Sequence, residues 1–312
     1  MKSYFGGFAI IVSLLLLLAP ARGFADEVAI SFDDAPKSDD HVMTGHERTS
    51  RIIEQLKEEN VQAIFFINTR TWSDKARAQV QSYVDAGHLV ANHTSDHADY
   101  QKVGLKDFLK QVDQADQMIR SFSTFRPLFR YPFLNEGIDL ASRDAARRAL
   151  QKRGYREGYV TVDTNDWYFE KRLQEAIERG DTVDRRKLKK VYFQYLLDAL
   201  AFYDDLAMRT LGRSPRHVIL LHENDINALY LKELLQEIRK KGWTIISPDE
   251  AYIDALAKEE PQGLYSNNGR IAALADERGI CPHCRPSWDD YARIDRVIHY
   301  AHAFKEKKGP SH

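Results

Sequence analysis

The sequence predicts an α/β fold: a distorted (β/α)7-type barrel of parallel strands, with a helical insertion and a C-terminal helical tail. Three observations predict it. Short β-rich runs alternate with stretches of helical spacing through residues 26–256, the pattern that builds a parallel sheet with helices outside it. The polar residues richest in chemistry each follow a predicted strand, where α/β folds place their sites. From residue 257 onward the β-rich runs cease. An open doubly wound sheet is the competing arrangement.

The elements follow in order. Val28-Ala29-Ile30-Ser31-Phe32 reads as a strand ending in two acids, and Ile52, Ile53 and Leu56 mark a helix over 48–59. A strand over 63–67, a helix over 73–86 stopped by Gly87, and a strand over 88–91 come next. Leu109, Val112, Met118 and Ile119 give a helix over 105–122, followed by a strand over 128–131, a helix over 141–152 and a strand over 158–162. Residues 173–211 are long, charged and helical, more than a crossover requires, so 168–212 is expected to be a helical insertion. A strand over 218–221, a helix over 229–240 and a strand over 243–246 complete the barrel, and 257–312 forms the extension, with 305–312 expected to fray.

Composition narrows the function. The chain has 312 residues, 43 % apolar and 29 % charged, ordinary for a folded globular protein. Its 45 Lys and Arg against 46 Asp and Glu give a net charge of −1, so no global basic field holds a nucleic acid by its phosphates. Lys2, the apolar run over 5–19 and the small residues around Gly23 and Ala25 read as an export signal over 1–25. The apolar run is shorter than the roughly 20 residues of a spanning helix, which disfavours an uncleaved anchor. The expected location is therefore periplasmic or secreted, without stable membrane insertion.

The strand ends carry Asp33-Asp34, His93 with His97, Arg130-Tyr131-Pro132-Phe133, Asp163 to Trp167, and His222-Glu223-Asn224-Asp225. Each group alone is weak. Two histidines four apart occur by chance in a chain with 11, and paired acids can be a solvated strand end or a helix cap. Together, two imidazoles and one carboxylate make an N2O set with an open position, as in hydrolytic zinc sites. Neighbouring acids on a strand point in different directions, so one can hold a metal while the other serves as a base.

These residues resemble the polysaccharide deacetylases that share the NodB homology domain, carbohydrate esterase family 4, over roughly 28–257. Ser31-Phe32-Asp33-Asp34 looks like the first motif, implying Asp33 as catalytic base and Asp34 as metal ligand. His93-Thr94-Ser95-Asp96-His97 is similar to the second, implying both histidines as ligands. Arg130-Tyr131-Pro132-Phe133 resembles the third, implying that Arg130 orients the base and Phe133 offers a backbone N–H to an oxyanion, with Pro132 beside it at the substrate. Asp166-Trp167 and Leu220-Leu221-His222 resemble the last two. They imply His222 as general acid, Asp166 as its tuning partner, and Trp167 and Leu220 as walls of an acetyl pocket. Ala35-Pro36 stands where the family usually has Gly, Phe133 where Tyr is common, and Asp163 leaves open which acid contacts His222.

The resemblance implies hydrolysis of a linear amide: removal of N-acetyl groups from an amino-sugar polymer or oligosaccharide (chitooligosaccharide, peptidoglycan or poly-N-acetylglucosamine type), with release of acetate. It also implies a divalent metal, Zn2+ first, with Co2+, Ni2+ or Mn2+ as alternatives. An O-acetyl esterase and a non-catalytic carbohydrate-binding protein on the same barrel are the alternatives. His41, His46 and His88 read as structural or solvent-facing, and Glu223, Asn224 and Asp225 as caps of the next helix. Cys281-Pro282-His283-Cys284 resembles a redox dithiol but lacks a thioredoxin-like context, so a structural or labile disulfide is expected there in place of a thiol oxidoreductase.

Overall fold

The computed structural model describes residues 26–265, 267–283, 285 and 290–305. The expected signal over 1–25 and Cys284 lie outside them. Strand β1 (Glu27–Ala35) leads through α1 (Gly45–Glu58) to β2 (Ala63–Ile67), then through α2 (Asp74–Asp85) to β3 (Leu89–Asn92). Helix α3 (Tyr100–Ile119) leads to β4 (Phe125–Phe129), and α4 (Leu140–Lys152) to β5 (Arg156–Glu157). Helices α5 (Asp166–Glu178) and α6 (Arg185–Leu211) flank the short β6 (Thr182–Val183). Then come β7 (His217–His222), α7 (Asp225–Lys240), β8 (Thr244–Ile245), α8 (Pro248–Ala251), α9 (Gly269–Glu277), α10 (Tyr291–Tyr300) and β9 (Phe304–Lys305).

The large sheet runs β5-β4-β3-β2-β1-β7, with β8 also paired to β1, and every pairing in it is parallel. Gly158 N donates to Phe129 O at 2.7 Å, while Thr161 N and Val162 N donate to Val218 O of β7 at 3.0 and 3.2 Å. The stretch 156–162 thus bonds β4 at its start and β7 at its end, curling the sheet into a distorted barrel. Strands β1, β2 and β3 are buried on both faces, which explains their continuous apolar runs. Phe32, Phe65 and Tyr83 stack in sequence within this core, with ring centroids 4.9 and 3.8 Å apart.

Several boundaries differ from the sequence expectation, each for a local reason. Thr44 caps α1 by accepting from Glu47 N, so the helix starts at Gly45, ahead of the apolar periodicity. Asp99 caps a short helical turn from Tyr100, and Gly104, at φ 74° and ψ 169°, kinks it off from the rest of α3, so the regular helix begins at Leu105 as expected. The single long helix expected over 173–211 is two helices. Gly180, at φ 75°, follows the end of α5, and Asp184 caps α6 by accepting from Lys187 N. The tail is not free of β-structure, because β9 pairs antiparallel with β6.

Nor is the C-terminal segment peripheral. Ile271, Ala272, Leu274 and Ala275 of α9 are buried in the main core. Gly269 sits at φ +84°, where a Cβ would lie 2.7 Å from Val160 O, so only glycine lets α9 approach the strand end this closely. Arg270 N then donates to that same carbonyl at 2.8 Å.

Candidate active site

The C-terminal ends of β1, β3 and β7 converge on a cavity of about 480 Å3. Asp33 pairs in register with His222 across β1 and β7, so the two flank one another by strand geometry alone. Asp34 follows at φ 61°, a left-handed conformation at the irregularity in β1 between Phe32 and Ala35, after which Ala35 pairs with Ile67 again. After β3, Thr94 N donates to Asn92 Oδ1 at 2.8 Å and His97 N to Thr94 Oγ1 at 3.0 Å. This turn, with Thr94 at φ 68° and His97 at φ 52°, sets the His93 and His97 rings edge to face at 4.9 Å.

His97 Nε2 lies 3.3 Å and His93 Nε2 3.8 Å from Asp34 Oδ1, and one donor atom from each residue falls within 4.8 Å of the others. His93 Nδ1 is 2.9 Å from Arg130 O, a carbonyl that can only accept, so Nδ1 carries the proton and Nε2 keeps its lone pair for the cluster. Burial, reinforced by the neighbouring His97, lowers the His93 pKa to about 3 despite the opposing pull of Asp34, leaving the imidazole neutral. Two imidazoles and a carboxylate this close fit a divalent cation. A second acidic group, Asp40 with Glu170 and Asp225, does not. Lys37 already sits 2.8 Å from Asp40 and 2.9 Å from Glu170, and Arg48 2.9 Å from Asp40 and 2.6 Å from Asp225.

Arg130 is buried and fully engaged. Its Nη1 donates to Asp33 Oδ1 at 2.6 Å and Ser31 Oγ at 3.0 Å, Nη2 to Tyr252 OH at 2.8 Å, and Nε to Gly158 O at 2.8 Å. The guanidinium also lies 3.8 Å from the centroid of the Phe66 ring. Burial raises the Asp33 pKa, while the charge of Arg130 opposes that rise.

Asp166, not Asp163, meets the histidine. It accepts from His222 Nδ1 and from His222 N, each at 2.7 Å, and from Asn224 Nδ2 at 3.0 Å and Asn227 Nδ2 at 2.8 Å. Burial of the His222 ring opposes its charge, but Asp166 outweighs it and lifts the pKa to about 10. Asp163 lines the cavity and accepts from Thr164 N at 2.8 Å.

Phe133, Trp167 and Leu220 line the cavity. Phe133 is at φ 59° and sets its ring edge-on to His97 at 4.7 Å. Pro132 is buried and lies off the cavity wall, because it opens the one-turn 3-10 helix that carries Phe133 outward. His41 and His46 are exposed and outside the cavity lining, while His88 is buried and its Nδ1 accepts from Ala63 N at 3.3 Å. Of the three residues read as caps, Asn224 caps α7. Glu223 and Asp225 do something else: they accept from Lys37 N and Thr49 Oγ1, and from Arg48 Nε, tying the loop after β1 to α7. Cys281 is disulfide-bonded.

Residues 23–158 match a family model described as polysaccharide deacetylase. That segment, under half of the chain, is similar to the polysaccharide deacetylases. A peptidoglycan-N-acetylglucosamine deacetylase of Bacillus cereus is 27 % identical over 141 residues, 45 % of this chain and 46 % of that protein, less than two thirds of its length. A chitin deacetylase of Colletotrichum lindemuthianum is 28 % identical over 240 residues, 73 % of this chain and 80 % of the relative. The solved structure of the chitin deacetylase from that fungus superposes with a TM-score of 0.51 at 19 % identity, covering 78 % of this chain and 92 % of the other, a likeness of fold.

Within this site, sequence reasoning missed four contributors. Tyr252 braces Arg130, Asn227 braces Asp166, and Asn267 and Tyr291 line the cavity from the C-terminal segment. A capping pattern at Asn224 pointed to the start of α7, but no local signal announced the other side chains as part of the site.

Proposed function

We propose that this protein is a metal-dependent hydrolase that removes N-acetyl groups from an amino-sugar polymer or oligosaccharide and releases acetate. One observation carries the reading. Asp33, paired with Arg130, and His222, paired with Asp166, flank an N2O cluster within a single cavity. Asp34, His93 and His97 would hold the cation, Zn2+ first on the chemistry of this donor set. That ion would supply Lewis-acid polarisation of the acetyl carbonyl and acidify the attacking water.

The chain's own residues supply the rest. Asp33 takes the proton of the water as it attacks, and Arg130 holds the Asp33 carboxylate ionised and aimed. The Phe133 N–H donates to the oxygen on which negative charge develops; one such donor is commonly worth about 3 kcal/mol. An amide anion is too poor a leaving group to depart unprotonated, so His222 gives its proton to the nitrogen, and Asp166 keeps that imidazole charged beforehand. Trp167 and Leu220 wall the acetyl group.

The base, the acid and all three ligand residues are present, which weighs against a purely carbohydrate-binding role on the same barrel. Among the described residues no helix is long and apolar enough to cross a membrane. An exported, periplasmic or secreted location belongs to this reading, supported by the basic and then apolar pattern of residues 1–25. The test is acetate release from chitooligosaccharide, poly-N-acetylglucosamine, peptidoglycan and acetylxylan side by side, with and without a chelator. Chelator-sensitive release from the N-acetylated substrates is expected. Release from acetylxylan alone would move the assignment to an ester, and no release from any of them would overturn it.

A further inference from the structure

Tyr291 opens α10 in the C-terminal segment, yet it lines the same cavity as Asp33, His93 and His222. Its ring lies parallel to Tyr168, centroids 4.6 Å apart, and edge-on to Trp167 at 5.3 Å. The cluster is braced. Ile294 and Ile298 of the same helix are buried in the core, and Asp295 accepts from Tyr168 OH at 3.0 Å while pairing with Arg172 at 2.9 Å. Even so, Tyr291 is 47 % and Trp167 37 % exposed.

Large aromatic surface left in water costs hydrophobic free energy, and here it is held rigidly on a cavity wall rather than folded inward. Flat rings of this kind accept the apolar C–H face of a pyranose, while Asn267, exposed on the same cavity and from the same segment, offers an amide to hydroxyl groups. The cavity volume of about 480 Å3 exceeds what one acetyl group fills and falls in the range of about 300–1,000 Å3 that holds larger ligands. We propose that Tyr291, backed by Tyr168 and set against Trp167, forms a second sugar-ring subsite beside the reaction centre, so that the protein selects oligosaccharides over single amino sugars. The subsite rests on the deacetylase reading and names the length of the substrate it takes.

Titration calorimetry with glucosamine and its β-1,4-linked tetramer, which carry no acetyl group to lose, tests binding without turnover. The wild-type chain is expected to prefer the tetramer by roughly tenfold or more, Tyr291→Phe to keep that preference, and Tyr291→Ala to lose most of it. Tyr291→Leu, which retains apolar bulk against Tyr168, is expected to lose it too and guards against a folding defect in the alanine variant. Equal affinity of the wild-type chain for both sugars, or an undiminished preference in Tyr291→Leu, would overturn the subsite. Failure of acetate release alongside an intact tetramer preference would instead remove the deacetylase reading and leave the subsite standing.

Discussion

Asp166 grips His222 twice, at the ring Nδ1 and at the backbone N–H, each at 2.7 Å. The double contact fixes the ring's orientation and leaves Nε2 as the atom that carries the exchangeable proton. Asp166 is fully buried and His222 partly so, and the Asp166 charge overcomes the burial of the ring to raise His222 from 6.5 to about 10.

Asp166→Asn is therefore expected to move the alkaline limb of the pH–rate profile down from about 10 toward the ordinary imidazole value of 6.5. At pH 8 an imidazole titrating at 6.5 is only about 3 % protonated, so the rate should fall roughly thirtyfold. Stability follows the same sign. A folded pKa raised above the unfolded 6.5 adds stability that is fully present below pH 6.5 and is lost as pH rises through about 10. Urea melts of the wild type should show that loss across this window, and melts of Asp166→Asn should not.

Arg130 makes the opposite adjustment at Asp33, whose pKa burial raises and the guanidinium restrains. Arg130→Lys keeps a charge but cannot reproduce contacts to Asp33, Ser31, Tyr252 and Gly158 from one planar fork. The expected result is a folded protein with kcat down roughly 10–100-fold and an acidic limb displaced to higher pH, because the base loses its partner's full pull. An unmoved acidic limb in Arg130→Lys would show that Arg130 does not set the ionisation of Asp33.

The cluster of Asp34, His93 and His97 predicts metal content as well as rate. Elemental analysis of the purified chain should give about one divalent ion per chain, and His97→Ala should lose both ion and turnover. Dialysis against a chelator followed by Zn2+ should restore the wild type and leave His97→Ala inactive. A His97→Ala variant that retains its ion would remove His97 from the ligand set.

Much of this was legible in the sequence because it is local. The seven predicted strands all fall on or beside observed strand pairings, since strand pattern, turn residues and the chemistry of Asp33, Asp34, His93, His97 and His222 are written within a few residues of one another. What escaped depends on contacts between distant positions. Tyr252 reaches Arg130 across 122 residues, and nothing in its own neighbourhood distinguishes it from a core tyrosine. The break between α5 and α6 was hidden because apolar spacing continues past Gly180, and a lone glycine is tolerated in many helices. The α9 residues had helical spacing with no strand pattern nearby, so their insertion against Val160 could not be read locally.

The loop that follows Asp34 is tied down by Arg48, and this makes a stability prediction. Arg48 is fully buried, with Nε donating to Asp225 at 2.6 Å and Nη1 donating to Lys37 O and Ser38 O at 3.1 and 2.9 Å. Those bonds join the loop after β1 to the first residue of α7, and so hold Asp34 and His222 in a common frame. Arg48→Met leaves Asp225 and Asp40 without their shared cation and the carbonyls of Lys37, Ser38 and Met43 without this donor. Removing one partner of a buried ion pair costs about 3–5 kcal/mol, so the urea midpoint should fall by that equivalent at pH 7. The double variant Arg48→Met with Asp225→Asn should recover part of the loss, because one of the two stranded carboxylates is gone while Asp40 and the carbonyls stay without Arg48. Equal midpoints for the single and double variants would assign the whole cost to Asp40 and the loop carbonyls rather than to the pair with Asp225.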